Sequence, residues 1–150
     1  MSSIIEECSV PHEAVNKKLY SIAATATGGR EGHTKSEDGV VDLPLGKPST
    51  SNPVANPETL FAAGYAACYN GALALIASRE GVDASGAETT ADVTLGETDT
   101  GFGLAVELVT TIPGVDADTA QALADKAHEF CPYSKATRGN IDVTVVGKPA

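Results

Sequence analysis

The 150-residue sequence has no Trp and only seven other aromatic residues, three Phe and four Tyr. Its core cannot rest on large rings. Ala and Gly are plentiful instead, which predicts close approach of backbone elements. Cysteine is scarce and odd in number, three in all. That excludes a secreted framework of paired disulfides and fits a cytoplasmic protein with functional or incidental thiols. Basic residues are few, ten Lys and Arg against twenty Asp and Glu, for a net charge of −10. Such a balance argues against nucleic acid and against anionic membranes as partners. Met1 to Val10 has neither the basic start nor the apolar centre of a signal peptide. No repeat, low-complexity tract or linker divides the chain, so residues 1–150 read as one domain that buries roughly 70% of its unfolded surface. The three Cys and three His show no ligand spacing such as C-x₂-C, so no metal is expected.

The stretch from Asn56 to Glu80 organises the rest and reads as one long helix. Asn56 can accept a first-turn amide. Pro57 suits the first helical position, where its missing N–H costs nothing. Glu58 places a negative charge at the positive end of the macrodipole, and Gly81 is a stop. The helix is apolar nearly all round and is expected to be buried. It reads as too short and too well capped for a membrane span. Cys68 lies mid-helix on a face shared with Leu60, Gly64, Ala72 and Ile76. Taken alone it reads as a small buried hydrophobe.

Before this helix, Met1 to Asn16 is polar and acidic, a loose arm or short edge strand that holds Cys8; the arm runs to residue 18. Leu19 to Thr27 alternates in part and predicts a strand. Gly28-Gly29-Arg30-Glu31-Gly32 is a turn, with Arg30 either solvated or bent inward by its glycines. His33 to Ser36 and Val40 to Leu45 are further strands about the turn Glu37-Asp38-Gly39, completing a meander. Gly46 to Val54 is a loop, either a connector or a lid. After the helix, Glu88 to Leu95, the turn-rich Gly96 to Gly101 and the matching strand Phe102 to Ile112 form a second hairpin, closed by Pro113-Gly114. Asp116 to Phe130 is a second helix, capped by Asp116 and ended by Pro132. Its buried stripe is Ala120, Leu123, Ala124, Ala127 and Phe130. Ile141 to Val146 is a last strand. This order predicts an α+β domain. His12, His33 and His128 read as surface residues. Tyr65, Tyr69 and Tyr133 read as packing residues, with Tyr133 able to line a pocket.

Cys131 stands at the carbonyl end of the second helix, where the macrodipole disfavours a thiolate. Cys68 feels little of either helix end and would need a nearby guanidinium to ionise. The two are thus an asymmetric pair in principle. The runs Glu58-Thr59-Leu60-Phe61-Ala62-Ala63-Gly64-Tyr65-Ala66-Ala67-Cys68 and Cys131-Pro132-Tyr133-Ser134-Lys135-Ala136-Thr137-Arg138-Gly139-Asn140-Ile141 resemble the two cysteine motifs of the organic hydroperoxide resistance proteins, within the OsmC-like superfamily. Ala24 to Gly32 resembles that family's arginine loop. The similarity spans about Leu19 to Val146. Ser49 to Ala55 departs from it, and Cys8 lies outside it.

The resemblance implies an OsmC-like fold, with antiparallel sheet elements around a long buried helix in an intertwined homodimer. It implies a thiol-dependent peroxidase that reduces organic hydroperoxides to alcohols. By position, Cys68 is the peroxidatic cysteine, Cys131 the resolving one, and Arg30 with Glu58 the polar pair that activates Cys68. The implied reductant is a dithiol, usually a lipoylated protein, and no cofactor or metal is implied. Competing readings are a broader OsmC-type peroxidase and a non-catalytic redox sensor or small-molecule binding protein. Helix geometry adds an expectation about the dimer. Glu58 and Cys68 are about 15 Å apart along one continuous helix. Two such helices crossing antiparallel at Ala62-Ala63-Gly64 would bring Glu58 of one chain to Cys68 of the other. A break in the helix would instead fold both into one chain's site.

Overall fold

The structure is a computed structural model that describes residues 12–150. Most of the expected N-terminal arm, including Cys8, lies outside the described residues. Residues 12–18 adopt neither helix nor strand and are exposed. The elements are β1 (Ala24–Thr27), β2 (His33–Ser36), β3 (Asp42–Pro44), α1 (Pro57–Arg79), β4 (Glu88–Thr98), β5 (Gly101–Ile112), α2 (Ala117–Phe130), α3 (Pro132–Thr137) and β6 (Asp142–Pro149). They form two three-stranded sheets, ordered β1-β2-β3 and β4-β5-β6. This is the α+β architecture that the element order predicts.

The differences from the sequence reading have physical causes. β1 is shorter than Leu19 to Thr27, because its partner β2 offers only the four positions from His33 to Ser36. The second sheet is not wholly antiparallel: β5 and β6 run parallel, with Ala105 opposite Asp142. The chain leaves β5, crosses through α2 and α3, and starts β6 back toward the end where β5 began, as a parallel pair requires. α3 was not anticipated. Pro132 ends α2 because it lacks an N–H, and the same residue then occupies the first position of a new helix.

α1 forms as its sequence dictates. The Asn56 side chain accepts from the Thr59 amide at 2.9 Å. Beyond Glu80, Gly81 turns the chain with φ 71°. Two expectations about this helix need correction. Its 23 residues are long and apolar enough to cross a membrane, so shortness does not exclude that role. Its packing places it within the fold, against β4 and α2. It is also not buried all round. Tyr65, Tyr69, Ala72, Leu73 and Ala77 are buried, while Ala63, Ala67, Gly71, Ala74 and Leu75 stay exposed. The buried side meets Val106, Leu108 and Ile112 of β5 and Ala120, Leu123 and Ala127 of α2, and Cys131 belongs to the same core. The α2 stripe holds as predicted except at Phe130, which stays 40% exposed beneath the Arg79 guanidinium.

Candidate active site

Cys68 and Cys131 approach each other from α1 and from the junction of α2 with α3. Their Sγ atoms are 3.6 Å apart, and both are free thiols. Cys131 is wholly buried, whereas Cys68 is half-buried. A disulfide needs closure by about 1.6 Å, a small motion for two side chains already in contact. Burial pushes the Cys68 thiol above its usual range, opposed by a hydrogen bond from the Tyr133 amide; the neighbouring Cys131 raises it further. Cys131 caps the end of α2 and also begins α3. It therefore sits between two helix ends, not at a carbonyl end alone.

Arg30 and Glu58 form a second pair. The loop before Arg30 needs glycine: Gly28 and Gly29 have φ 73° and 62°, angles that side chains disfavour. A Cβ on Gly32 would lie 1.8 Å from the Thr27 carbonyl oxygen. The Gly32 carbonyl accepts from the Leu45 amide at 2.8 Å, and Leu45 bridges to Ala55, beside the α1 cap. These bonds carry the loop to the first turn of α1. There the Arg30 guanidinium pairs with the Glu58 carboxylate. Arg30 thus bends toward a partner, and its hydrogen bond holds the Glu58 carboxyl below the usual carboxylate range.

The two pairs do not meet within one chain. α1 runs unbroken from Pro57 to Arg79, so no kink folds Glu58 back, and the separation along the axis is about 15 Å. Among the described residues, the influences on the Cys68 thiol are its own burial, the Tyr133 amide and Cys131, and Arg30 is not one of them.

Behind the cysteines lies a polar cluster that the sequence reading passed over. The Tyr65 hydroxyl is 2.9 Å from both the Ser134 and Thr137 hydroxyls. Ser134 Oγ is 2.8 Å from Nδ1 of His128. His128 is therefore half-buried and engaged, not a surface residue. His33 also has an acid, Asp42, at 2.7 Å across the β2–β3 pair. The motif run Ser134 to Arg138 was the available signal for this cluster. Tyr133 does line a cavity, of about 280 Å³, with Phe61, Leu104, Ala136, Thr137 and Ile141. Its walls are mainly apolar. Gly64 serves this side, since a Cβ there would stand 3.1 Å from the Tyr133 hydroxyl. Among the described residues, no three His, Cys, Asp or Glu side chains gather to hold a metal ion.

Residues 50–146 match the family model described as OsmC-like protein. The organic hydroperoxide resistance protein of Xanthomonas axonopodis pv. citri is 48% identical over 135 residues, covering 86% of this chain and 94% of that one. Organic hydroperoxide resistance protein OhrB of Bacillus subtilis is 46% identical over 130 residues, covering 83% and 95%. Among solved structures, an organic hydroperoxide resistance protein from Elizabethkingia anophelis superposes with a TM-score of 0.83 at 47% identity, covering 89% of this chain and 99% of that one.

Proposed function

The chain belongs to the OsmC-like family, in its organic hydroperoxide resistance group, and from that premise we propose a thiol-dependent peroxidase acting on alkyl or lipid hydroperoxides. The observation that carries the reading is the contact of one accessible thiol with one buried thiol, 3.6 Å apart. Cys68, as thiolate, attacks the distal oxygen of the hydroperoxide. An S–O bond forms and the O–O bond breaks. The alkoxide leaves and takes a proton to become an alcohol. Cys68 is now a sulfenic acid, oxidised by the two electrons that the peroxide gained. Cys131 then attacks the Cys68 sulfur. The S–S bond forms, and hydroxide leaves with the thiol proton as water. A dithiol reopens the disulfide by exchange; a lipoyl group has this chemistry.

Arg30 would favour the Cys68 thiolate and stabilise charge developing on the peroxide oxygens. Glu58 would orient the guanidinium. Because one chain keeps these pairs three helical turns apart, the site is composite: the partner subunit supplies Arg30 and Glu58 to Cys68. The exposed α1 stripe that includes Ala63 and Ala67 supports an antiparallel crossing there. The apolar cavity beside Tyr133 suits an alkyl chain better than hydrogen peroxide.

The direct test is steady-state turnover of an organic hydroperoxide with a dithiol. Cys68→Ser should abolish it. Cys131→Ser should still form one sulfenic acid per chain and then over-oxidise. Normal turnover by Cys131→Ser would remove the resolving role. Stoichiometric oxidation of the unaltered protein without turnover would favour a sensor.

A further inference from the structure

The chemistry above leaves the cluster of Tyr65, His128, Ser134 and Thr137 without a role. Cys131 is the hinge between α2 and α3, with φ −60° and ψ 127°. The position of its Sγ follows from the angle between those helices. α3 has only six residues, too few to hold itself in place. His128, in the last turn of α2, holds it at two points. Its ring meets Ser134 Oγ at 2.8 Å, and its carbonyl accepts from Arg138 Nη1 at 2.8 Å. Ser134 continues to Tyr65 and so to Thr137, each step 2.9 Å. Tyr65 belongs to α1, the helix that carries Cys68. The cluster therefore ties all three helices around the thiol pair.

The hydroxyls can order in either direction. In one, Thr137 donates to Tyr65, Tyr65 to Ser134, and Ser134 to His128 Nδ1. In the other every bond reverses, and Thr137 donates to the Ser134 carbonyl at 3.3 Å. Each order satisfies every hydroxyl. Asp125 and Glu129 of α2 and Arg138 beyond α3 are the charges acting on the ring, and burial acts most strongly, holding His128 below its usual range.

We propose that His128 is a positioning residue for the resolving step: through Ser134 it fixes the angle between α2 and α3, and so the approach of Cys131 Sγ to oxidised Cys68. This rests on the reading of Cys131 as the resolving thiol. A misplacement of about 1 Å at reacting atoms costs up to ~100-fold in rate, so a loosened hinge slows disulfide formation while leaving the first attack intact.

The test uses rapid mixing of the reduced protein with cumene hydroperoxide, with dimedone capture of sulfenic acid and mass spectrometry. His128→Ala is expected to slow disulfide formation on the order of tenfold and to increase sulfinic acid, while first-turnover peroxide loss keeps its rate. His128→Asn, whose amide stands near the position of Nδ1, should restore most of the disulfide rate. Ser134→Ala should match His128→Ala, and the double variant should be no slower than either. Ser134→Ala carries the test if His128→Ala does not fold. An unchanged disulfide rate, equal loss in both steps, no rescue by Asn, or additive losses would each overturn the proposal. Cys131→Ser run alongside separates the two claims: if it still turns over, the resolving assignment is what fails.

Discussion

Access separates the two cysteines at the residue scale. Solvent reaches the half-buried Cys68 but not Cys131, which is fully buried; this supports the roles proposed for them. Burial also makes Cys68 a poor thiolate on its own chain, so the proposed mechanism depends on a cation from elsewhere. A guanidinium beside Cys68 favours the charged form and lowers its pKa. Removing it does the opposite. Arg30→Ala should therefore raise the midpoint of Cys68 alkylation against pH and slow alkylation at neutral pH. The measurement is iodoacetamide labelling of Cys68 across pH in the Cys131→Ser background. A midpoint that does not move removes Arg30 from the site. The residue types at both sites were legible from the two cysteine motifs and the arginine loop. The hydroxyl cluster was not, because Ser, Thr and Tyr in a helical run carry no pattern that distinguishes buried partners from solvated ones.

At the scale of elements, glycine decides how closely β6 lies on α2. A Cβ on Gly147 would stand 2.2 Å from the Ala120 carbonyl oxygen and 2.9 Å from the Ala124 Cβ. The Gly147 amide also donates to Gln121 Oε1 at 2.9 Å. Backbone cannot give way as a flexible side chain can. Gly147→Ala should therefore destabilise the fold by about 1–3 kcal/mol, the usual cost of overpacking. Urea denaturation would show a lower midpoint at an unchanged slope. A wild-type midpoint would mean that β6 and α2 are not in such close contact. The strand itself was readable as Ile141 to Val146, against the observed Asp142–Pro149, but its parallel pairing was not. Alternation indicates which residues face the core, whereas direction depends on the route taken through α2 and α3.

The whole molecule raises the question of what covers its exposed apolar surface. Val15, Leu19 and Val40 are more than 80% exposed. The β1-β2-β3 sheet makes no extensive contact with the helices or the second sheet. α1 leaves Ala63, Ala67, Gly71, Ala74 and Leu75 uncovered. Together these fit an intertwined dimer with composite sites. Mixing Cys68→Ser chains with Glu58→Ala chains tests this. In a mixed dimer one site carries both defects and the other carries neither. With random pairing, activity should return to about a quarter of wild type, since half the dimers are mixed and each has one intact site. If mixed dimers form and no activity returns, the site is not composite. Gly64 shows that only part of the small-residue run is free for such a crossing, because Tyr133 of the same chain packs over it.

The sequence alone determined the long α1 with its Asn56 cap, the two hairpins, the capped α2 and the two cysteine motifs. Each of these is a local matter of periodicity, capping or turn chemistry, or a contiguous run specific enough to name a family. Tertiary structure decided the rest. It brought Cys68 and Cys131, 63 residues apart, to 3.6 Å, and it joined Arg30 to Glu58 through the Leu45–Ala55 bridge. It also kept those two pairs apart on one rigid helix. That separation follows from rise per residue, but only once the helix is known to be unbroken. His128 shows the same limit: its sequence neighbours suggest a surface residue, and only the fold of α3 back onto α2 makes it a brace.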